Sequence, residues 1–250
     1  MRRDWDERAR RNAFQYIASW RKDWDEASFF ASGEQDYARL VEPVLQTFGF
    51  AASGKSVVEF GCGAGRMTRS FAQHFQSVFA VDISSEMQAR AKSYLSEFSN
   101  ICWVLSDGES ISEIPDNHVD LVFSYLVLQH MPSREIVFRV ICEMIRILRP
   151  GGIFLFQFNG SSRPTMNWRG CMISGLLDGL ASMGLRSMSR NLAQLVSIDP
   201  DMVGKTWRGV AITKDEIAHA VRACGASPEG FLDPDTPLAW NFGRKAGGKA

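Results

Sequence analysis

The chain has 250 residues, which is enough for one large domain, or for one domain with a smaller cap. Its 45% of apolar and 22% of charged residues are ordinary for a globular protein. The 28 basic and 28 acidic residues cancel, so the composition gives no sign of a nucleic-acid partner. No apolar run has the length of a membrane span and no signal peptide is visible, so we expect a cytoplasmic protein without a membrane partner.

The cysteines and histidines form no metal-binding pattern. The five cysteines are scattered, without a CxxC pair, and at least two lie in core-like runs, so we predict reduced thiols. They are Cys62, Cys102, Cys142, Cys171 and Cys224. No cluster has metal-ligand spacing, so we predict that the protein has no metal site.

Residues 1–48 predict helices. From Asp4 to Trp24, apolar side chains recur every three or four residues, which is typical of an amphipathic helix packed on the flank of a sheet. This helix is compatible with one break. We interpret Phe29 to Tyr37 as a linker and Asp36 to Phe48 as the first helix of the core.

The segment Gly49–Ser56 matches the phosphate-binding pattern GxxxxGK[ST] letter for letter. In a phosphate-binding loop a strand comes before the pattern and a helix follows, so that backbone N–H groups and the lysine converge on phosphates. Here a predicted helix comes before the pattern and a strand follows it. We therefore interpret Gly54 and Lys55 as a turn into the first strand.

The central motif is a short strand, Val57–Phe60, followed by glycines at alternate positions, Gly61, Gly63 and Gly65. Glycines permit a tight turn and let a ligand approach bare backbone at the carboxyl edge of a parallel sheet. A helix that begins at Arg66 presents unpaired N–H groups, which suit a carboxylate or a phosphate.

Two further strands end near carboxylates. The strand Ser77–Asp82 ends on an acid, which can accept hydrogen bonds from both hydroxyls of a ribose. The strand Ile101–Leu105 is followed by Asp107, whose carboxylate can accept from an exocyclic amine such as that of adenine. The three strand ends therefore predict an elongated, adenosine-type ligand.

The later core elements alternate between helix and strand. After Asp82, Ser84 or Ser85 begins a helix, and Ser85 with Gln88 predicts a capping box. The elements that follow are a strand at Val119–Ser124, a helix at Arg134–Leu148 capped by Ser133, and a strand at Ile153–Phe158.

Residues 159–208 are too long for a simple crossover and are rich in methionine, tryptophan and glycine. We predict a helical cap with adaptable apolar side chains. Three roles fit this cap: a roof over an acceptor pocket, a homodimer face, or a cover for the sheet edge.

Residues 209–243 predict a last helix and two closing strands. Thr213 and Glu216 form a capping box at the start of the helix, and the strands are Phe231–Leu232 and Leu238–Phe242. We expect residues 244–250 to be a disordered tail.

Five ordered motifs within about residues 40–158 resemble those of the class I S-adenosylmethionine-dependent methyltransferases. They are Glu59–Gly65, Asp82, Asp107–Gly108, Val119–Ser124 and Arg149–Gly152. The resemblance implies an α/β fold, with a doubly wound, seven-stranded and mostly parallel sheet and an antiparallel carboxyl-terminal hairpin. The helical cap predicted from residues 159–208 would be added to this fold. Residues 49–158 would be the cofactor-binding core. The amino-terminal helix would be a lid over the cofactor or, equally, a helix on the sheet's flank.

The resemblance also implies how S-adenosylmethionine, and its product S-adenosylhomocysteine, would be held. Gly61, Gly63 and Gly65 would cradle the methionine part, with its carboxylate at the helix start near Arg66 and its sulfonium near Glu59. The remaining cofactor residues would be Asp82 for the ribose, Asp107 and Gly108 for the adenine, and Ser124 through its backbone. Ile83 and Met87 are candidates for contact with the adenine or, equally, for packing in the core.

The loop after the fourth strand is where the resemblance places the reacting methyl group. His130 is our candidate base, since its unperturbed pKa of about 6.5 suits proton abstraction at neutral pH, although a structural role in the loop is also compatible. Tyr125 and Gln129 are candidates for orienting the acceptor, and Trp207 and Arg208 for reaching it from the cap.

We therefore predict an enzyme that transfers a methyl group to an O, N or C atom of a small molecule. A nicotinamide-dependent oxidoreductase is the first alternative. Two features count against this alternative. Arg66 stands where a dinucleotide fingerprint has its third glycine, and an acid follows the third strand. A non-catalytic protein that binds an adenosyl cofactor is the second.

Overall fold

The computed structural model describes residues 1–160, 173, 176, 177, 179, 180, 183, 185–195 and 209–247. Its seven strands form one sheet. They are β1 (Ser56–Phe60), β2 (Ser77–Asp82), β3 (Ile101–Leu105), β4 (Val119–Ser124), β5 (Leu148–Phe158), β6 (Ala226–Leu232) and β7 (Ala239–Lys245). The spatial order is β3-β2-β1-β4-β5-β7-β6.

Strands β1 to β5 pair in parallel, so their carboxyl ends meet at one edge of the sheet. The strand β7 is antiparallel to both β5 and β6, and it closes the sheet with a hairpin. The strand order reverses between β1 and β4, and in open α/β sheets ligands bind at such a switch point. The predicted fold class is therefore confirmed.

Helices cover both faces of the sheet. They are α1 (Arg2–Ile17), α2 (Glu26–Asp36), α3 (Glu42–Thr47), α4 (Thr68–His74), α5 (Ser85–Tyr94), α6 (Arg134–Ile147), α7 (Arg186–Leu195) and α8 (Lys214–Ala223). A π-helical turn, Tyr37–Val41, joins α2 to α3. Buried side chains of α6 and α8, such as Val140 and Ile217, form the core on one face, and those of α3 and α4, such as Leu45 and Phe71, form it on the other.

The amino-terminal prediction needs two corrections. The first helix ends at Ile17 and not at Trp24; the one break that the pattern allowed is a kink at Asn12, where the backbone leaves the helical region. Phe29 and Phe30 lie inside α2 and not in a linker, because the carboxylate of Asp25 caps that helix and both rings are buried.

The capping predictions have mixed outcomes. Thr213 and Glu216 form the predicted capping box, and Ser133 caps α6. The predicted box at Ser85 is wrong, since Ser84 caps α5 and accepts from the N–H of Met87 at 3.1 Å. The Gln88 amide is instead buried and donates to strand carbonyls.

The pattern Gly49–Ser56 forms the predicted turn into β1. The Lys55 ammonium lies 3.4 Å from the carboxylate of Asp120, which also accepts from the backbone N–H of Ser56 at 2.9 Å. These contacts are at the amino ends of β1 and β4, opposite the sheet edge where the parallel strands end.

The closing hairpin is longer than its apolar residues indicate. Arg244 and Lys245 belong to β7, and Arg244 pairs with Ile153 of β5. The prediction of a disordered tail from residue 244 is therefore wrong for these two residues. The sequence pattern did not indicate a strand at Arg244 and Lys245, because these basic residues lie half-buried at the outer end of β7.

A disulfide joins Cys142 on α6 to Cys224 just after α8, with 5.2 Å between the Cα atoms. The prediction of reduced thiols is wrong for this pair. An 82-residue separation gives no local spacing from which the pairing could be predicted. Cys62 and Cys102 are free, and Cys171 lies outside the described residues.

Of the predicted cap at 159–208, the structure describes α7 and a few separate residues, and the rest of that prediction lies outside the described residues. Within the part of the chain that is described, no helix has the length and apolar character that crossing a membrane requires.

Candidate functional site

A cavity of about 570 Å³ opens at the carboxyl ends of the parallel strands. It brings together many of the predicted site residues, from β1, β2, β3 and the loop after β4. Those that line it are Glu59, Gly61, Gly63, Arg66, Asp82, Ile83, Met87, Gly108, Tyr125, Gln129 and His130. Gly65, Asp107 and Ser124 are not in its lining, and Trp207 and Arg208 lie outside the described residues.

The glycine loop leaves no room for side chains. Gly61 and Gly63 both have a positive φ, of 84° and 53°. A Cβ on Gly61 would lie 2.1 Å from Val127, and one on Gly63 would lie 2.7 Å from Ile17. Gly65 faces away from the cavity, where its Cβ would meet Leu95, the residue just after α5, at 2.7 Å.

The carboxylate of Asp82 is buried at the end of β2. It accepts hydrogen bonds of 2.8 Å from the backbone N–H groups of Gly63 and Ser84. Burial raises the pKa of Asp82 to about 6 despite these donors. An acid placed here lies at the junction of the glycine loop and β2.

Glu59 ends β1 and is also buried. Its carboxyl group accepts from the hydroxyl of Thr68 at 2.5 Å, and burial raises its pKa to about 8. A cation placed in the cavity beside Glu59 would favour the carboxylate. The site is therefore suited to a positively charged ligand.

The end of β3 differs from the prediction. The carboxylate of Asp107 accepts from the backbone N–H groups of Glu109 and Ser110, both at 2.8 Å, and these bonds lower its pKa. Asp107 is exposed and closes its own loop, while Ser106 and Gly108 line the cavity. The Asp107 carboxylate therefore bonds within its own loop and does not line the cavity, and its contact with an adenine stays a prediction.

Arg66 also has a different position from the one predicted. The helix α4 begins two residues later, at Thr68, and the Arg66 side chain is buried. Its guanidinium donates to the carboxylate of Asp36 at 2.7 Å. It also lies over the rings of Trp20 and Tyr125, at 5.3 and 5.5 Å from their centres.

Ser124 joins the ends of two strands. Its hydroxyl donates to the carbonyl of Phe60 at 3.0 Å, and the side chain is fully buried. Beside it, burial raises the pKa of the Tyr125 phenol. Ser124 therefore holds together the ends of β1 and β4 next to the cavity, and Tyr125 lines the cavity.

The helix α1 and the turn after it cover the cavity. Six residues from the amino-terminal segment line it: Met1, Trp5, Tyr16, Ile17, Ser19 and Trp20. The helix is held to the start of α5 because Ser84 donates its hydroxyl proton to Asp6 at 2.7 Å. The repeating apolar pattern predicted the helix, but not which of its aromatic side chains would face the cavity.

At the other end of the cavity, His130 lies in a short 3₁₀ helix, Leu128–His130. The Trp5 ring meets the His130 ring edge to face, with 5.4 Å between their centres. Gln129 contacts His130 on one side and the fully buried Gln157 on the other. The sequence analysis did not identify Gln157 as a residue of the site. A polar side chain within the apolar strand β5 could have indicated it, because buried polar groups need hydrogen-bond partners.

These groups suit S-adenosylmethionine. Backbone without side chains faces the cavity at Gly61 and Gly63, Asp82 can accept from ribose hydroxyls, and Ile83 and Met87 are apolar surfaces for a base. A sulfonium or an ammonium placed beside Glu59 would favour the ionised form of its carboxyl group and would then have a negative partner. Among the described residues, no three His, Cys, Asp or Glu side chains are grouped as a metal site would require.

Comparison with known proteins agrees with this geometry. A family model described as a methyltransferase domain matches residues 58–156. A demethylmenaquinone methyltransferase of Tropheryma whipplei is 26% identical over 176 residues, which are 69% of this chain and 66% of that protein. A malonyl-[acyl-carrier protein] O-methyltransferase of Pectobacterium atrosepticum is 34% identical over 42% of this chain and 39% of that protein. The chain thus spans just under two thirds, or less, of these curated relatives.

Solved structures share the fold across most of the chain. Magnesium protoporphyrin IX methyltransferase from Synechocystis PCC 6803, with bound S-adenosylhomocysteine, superposes with a TM-score of 0.60 at 17% identity, covering 98% of each chain. An S-adenosylmethionine-dependent methyltransferase from Mesorhizobium loti gives 0.55 at 21% identity, covering 81% of this chain and 96% of that one.

Proposed function

Because the chain belongs to the class I S-adenosylmethionine-dependent methyltransferases, we propose that it methylates a small, uncharged and largely apolar molecule at an O, N or C atom. One observation carries this proposal. A single cavity joins the glycine loop and Asp82, at one end, to Gln129 and His130, at the other. Cofactor and acceptor would therefore meet in line within one enclosed space.

The character of the acceptor end supports an uncharged molecule. Its lining is apolar and aromatic, with uncharged polar groups between. These residues are Trp5, Tyr16, Trp20, Tyr125, Leu126, Gln129, His130, Met131, Asn159, Pro237 and Leu238. The Arg66 guanidinium already has Asp36 as its partner, so it does not favour an anionic acceptor. Two of the similar proteins are named for demethylmenaquinone and for magnesium protoporphyrin IX, and a third is named for malonyl-[acyl-carrier protein].

The bound cofactor would supply an activated methyl group on a cationic sulfur. This chain's residues would supply alignment and exclusion of water, which contribute on the order of 7–11 kcal/mol in well-oriented reactions. Side chains of α1 would cover both ends of the cavity, since Ile17 lies beside Gly63 and Trp5 lies against His130. His130 would accept a proton from an acceptor that arrives with an O–H or N–H group.

Two measurements test the proposal. Calorimetry should detect binding of S-adenosylmethionine and S-adenosylhomocysteine but not of NAD; the opposite preference would restore the oxidoreductase alternative. Methyl-labelled cofactor, incubated with quinols, phenols and enols and then with a cell extract, should yield a labelled small molecule. Cofactor binding with no labelled product from any of these would favour a non-catalytic binding protein.

The role of His130 is tested by comparing His130→Ala with His118→Ala. His118 packs against Phe79, 5.5 Å between ring centres, and does not line the cavity. We expect the first variant to lower kcat by about 10²–10⁴-fold while cofactor affinity changes little, and the second to leave kcat unchanged. Full activity of His130→Ala at every pH would assign His130 a structural role.

A further inference from the structure

Three buried carboxyl groups lie near the glycine loop, and they differ in their partners. Asp36 has a guanidinium on each of its two oxygens, both at 2.7 Å. Asp82 has a backbone N–H on each oxygen, both at 2.8 Å. Glu59 accepts one hydrogen bond, from the Thr68 hydroxyl at 2.5 Å, and among the described residues no ion pair and no second hydrogen bond reaches it. Of the three, Glu59 is therefore the least prepared to carry a negative charge.

The charges around Glu59 do not compensate for that lack of partners. The Arg66 guanidinium acts on Glu59 from a distance but is already paired with Asp36. Asp82 acts on Glu59 as a second acid. Burial raises the pKa of the neighbouring Cys62 thiol, so that group stays neutral. An ionised Glu59 in the free protein would be a buried anion without a paired cation, so its carboxyl group keeps its proton.

This neutral acid stands where a ligand would bind. Glu59 lines the cavity beside the glycine loop, although the residue is 4% exposed. A cation bound there would meet a carboxyl group that has no cationic partner of its own. Its charge favours the ionised form, so the proton leaves as the cation enters. The ligand then supplies the partner that Glu59 lacks.

We propose that Glu59 is a specificity-determining residue that loses its proton when a cationic ligand binds, so that the site selects a positively charged adenosyl cofactor over an uncharged analogue. The O–H bond of the carboxyl group breaks, buffer or water takes the proton, and no covalent bond forms to the ligand. The identity of the cation, S-adenosylmethionine, rests on the proposed function. Thr68 is a positioning residue, because its hydroxyl donates to the carboxylate and makes ionisation easier.

The first test is carbon NMR on the full chain, with glutamate ¹³C-labelled at the side-chain carboxyl group. The spectra are recorded at about pH 6.5, where ordinary glutamates are ionised. Protonated and ionised carboxyl groups have different shifts, and Glu59→Gln identifies the Glu59 signal. We expect a protonated Glu59 in the free protein and an ionised Glu59 in the complex with S-adenosylmethionine. An ionised Glu59 without ligand, or a protonated one in the saturated complex, would overturn the inference.

The uncharged analogue 5′-methylthioadenosine separates the effect of charge from that of shape. It keeps the adenosyl group and a thioether sulfur, but it has neither the sulfonium nor the ammonium of the cofactor. Added at any concentration, it should leave the Glu59 signal at its protonated position. Loss of the Glu59 proton with this analogue would show that shape, and not charge, drives the ionisation.

The second test is the Kd of S-adenosylmethionine from about pH 6 to about pH 8, measured by calorimetry. Burial raises the pKa of Glu59 in the free protein to about 8, so binding in this range removes a proton. Affinity should therefore fall as pH falls, by up to about tenfold for each pH unit. Glu59→Gln cannot ionise and should lack this part of the slope. The ratio of the two Kd values cancels ionisation of the ligand itself, and a ratio that is independent of pH would contradict the inference.

Two variants of α4 separate positioning from simple packing. Thr68→Val keeps the shape of the side chain but removes the hydroxyl that donates to Glu59, so it should move the affinity profile to higher pH. Ser70→Ala removes another buried hydroxyl of the same helix, which makes no hydrogen bond among the described residues. It should leave the profile unchanged. A Thr68→Val profile identical to that of the wild type would refute the role of Thr68.

The outcomes also separate this inference from the proposed function. The spectrum of the free protein requires neither cofactor nor acceptor. A Glu59 that is ionised there, in a protein that transfers methyl groups, would contradict the inference alone. Proton loss from Glu59 on cofactor binding, with no labelled product from any acceptor, would support the inference and contradict methyl transfer.

Discussion

The carboxylate of Asp82 accepts a 2.8 Å hydrogen bond from the backbone N–H of Gly63. This bond ties the end of β2 to the middle of the glycine loop that follows β1. The same carboxylate has its other oxygen on the N–H of Ser84. One buried acid thus shapes the loop and, in the proposed function, also holds the ribose of the cofactor.

Replacing Asp82 by Asn should weaken binding of S-adenosylmethionine by more than about tenfold, or 1.4 kcal/mol. The amide has one acceptor oxygen where the carboxylate uses two, so at least one backbone N–H or ribose hydroxyl loses a partner. The measurement is the Kd from calorimetry. Asp107→Asn is the control, because Asp107 is exposed outside the cavity, and its Kd should equal that of the wild type. Equal loss in both variants would return Asp107 to the cofactor site.

The steric requirement for glycine at Gly63 can be tested by comparison with Gly49, which has a similar φ but has open space where a Cβ would be added. Gly63 and Gly49 have φ values of 53° and 59°. An added Cβ at Gly63 would lie 2.7 Å from Ile17, whereas at Gly49 nothing lies within 4 Å. Gly49→Ala should cost only backbone strain, about 1–2 kcal/mol in the free energy of unfolding, and leave cofactor affinity unchanged.

Gly63→Ala should cost more stability than Gly49→Ala, and it should weaken cofactor binding by more than about tenfold. Adding Ile17→Ala should recover part of the stability, because it removes the steric contact, but not the affinity, since the Cβ still faces the cavity. Unchanged affinity in Gly63→Ala would show that the ligand does not approach this backbone.

The two buried carboxyl groups predict how stability depends on pH. Burial raises the folded-state pKa of Asp82 to about 6 and that of Glu59 to about 8, from 3.8 and 4.5. The folded protein therefore holds protons that the unfolded chain releases, and these groups make stability fall as pH rises from about 4 to about 8. Glu59→Gln should remove the part of the fall above about pH 6.

At about pH 9 the Glu59→Gln protein, without cofactor, should be more stable than the wild type by about 1–3 kcal/mol, because it no longer buries a charge. Chemical denaturation across this pH range measures the effect. Glu97→Gln, at an exposed position, should follow the wild-type curve. A wild-type curve that stays flat from about pH 6 to about pH 8 would contradict the buried position of Glu59.

The sequence predicted the parts of the site that depend on local pattern. Gly61 and Gly63 lie within three residues of the end of β1, and Asp82 is the last residue of β2, so their place at the sheet edge follows from the strand order. The pattern did not show that Asp107 would bond within its own loop, because a carboxylate two residues past a strand can either face a ligand or accept from nearby N–H groups, as it does here from Glu109 and Ser110.

The residues that the sequence did not reveal depend on contacts between distant segments. Gln157 meets Gln129, 28 residues away, and the carbonyl of Pro237, 80 residues away. Trp5 meets His130 only because α1 folds back over the sheet edge. No periodicity in one segment carries this information, since each contact requires the finished fold.

The disulfide gives a prediction about folding stability. Removing the cross-link between Cys142 and Cys224, by reductant or by Cys142→Ser, should lower the free energy of unfolding by roughly 2–5 kcal/mol. Alkylation in denaturant without reductant, read by mass spectrometry, should leave these two cysteines unmodified and modify Cys62 and Cys102. Cys102→Ser is the control and should change stability little. Modification of Cys142 and Cys224 without reductant would restore the original prediction of reduced thiols.

The ion pair between Arg66 and Asp36 attaches α2 to the glycine loop. Both side chains are buried, and Gly33 of α2 approaches so closely that a Cβ there would lie 2.0 Å from the carbonyl oxygen of Arg66. Asp36→Asn would leave the guanidinium buried without a carboxylate, so we expect a loss of about 3–5 kcal/mol in the free energy of unfolding.

Arg39 provides the matched control for that ion pair, because it contacts the same carboxylate at 2.7 Å but its side chain is 67% exposed. Arg39→Ala should cost no more than about 1 kcal/mol, as exposed pairs do. The double variant Asp36→Asn with Arg66→Met should recover much of the loss, since no charge then remains buried. Denaturant unfolding of the four proteins measures these differences. Equal, small losses from Asp36→Asn and Arg39→Ala would show that water reaches Arg66 and that the pair does not hold α2 against the loop.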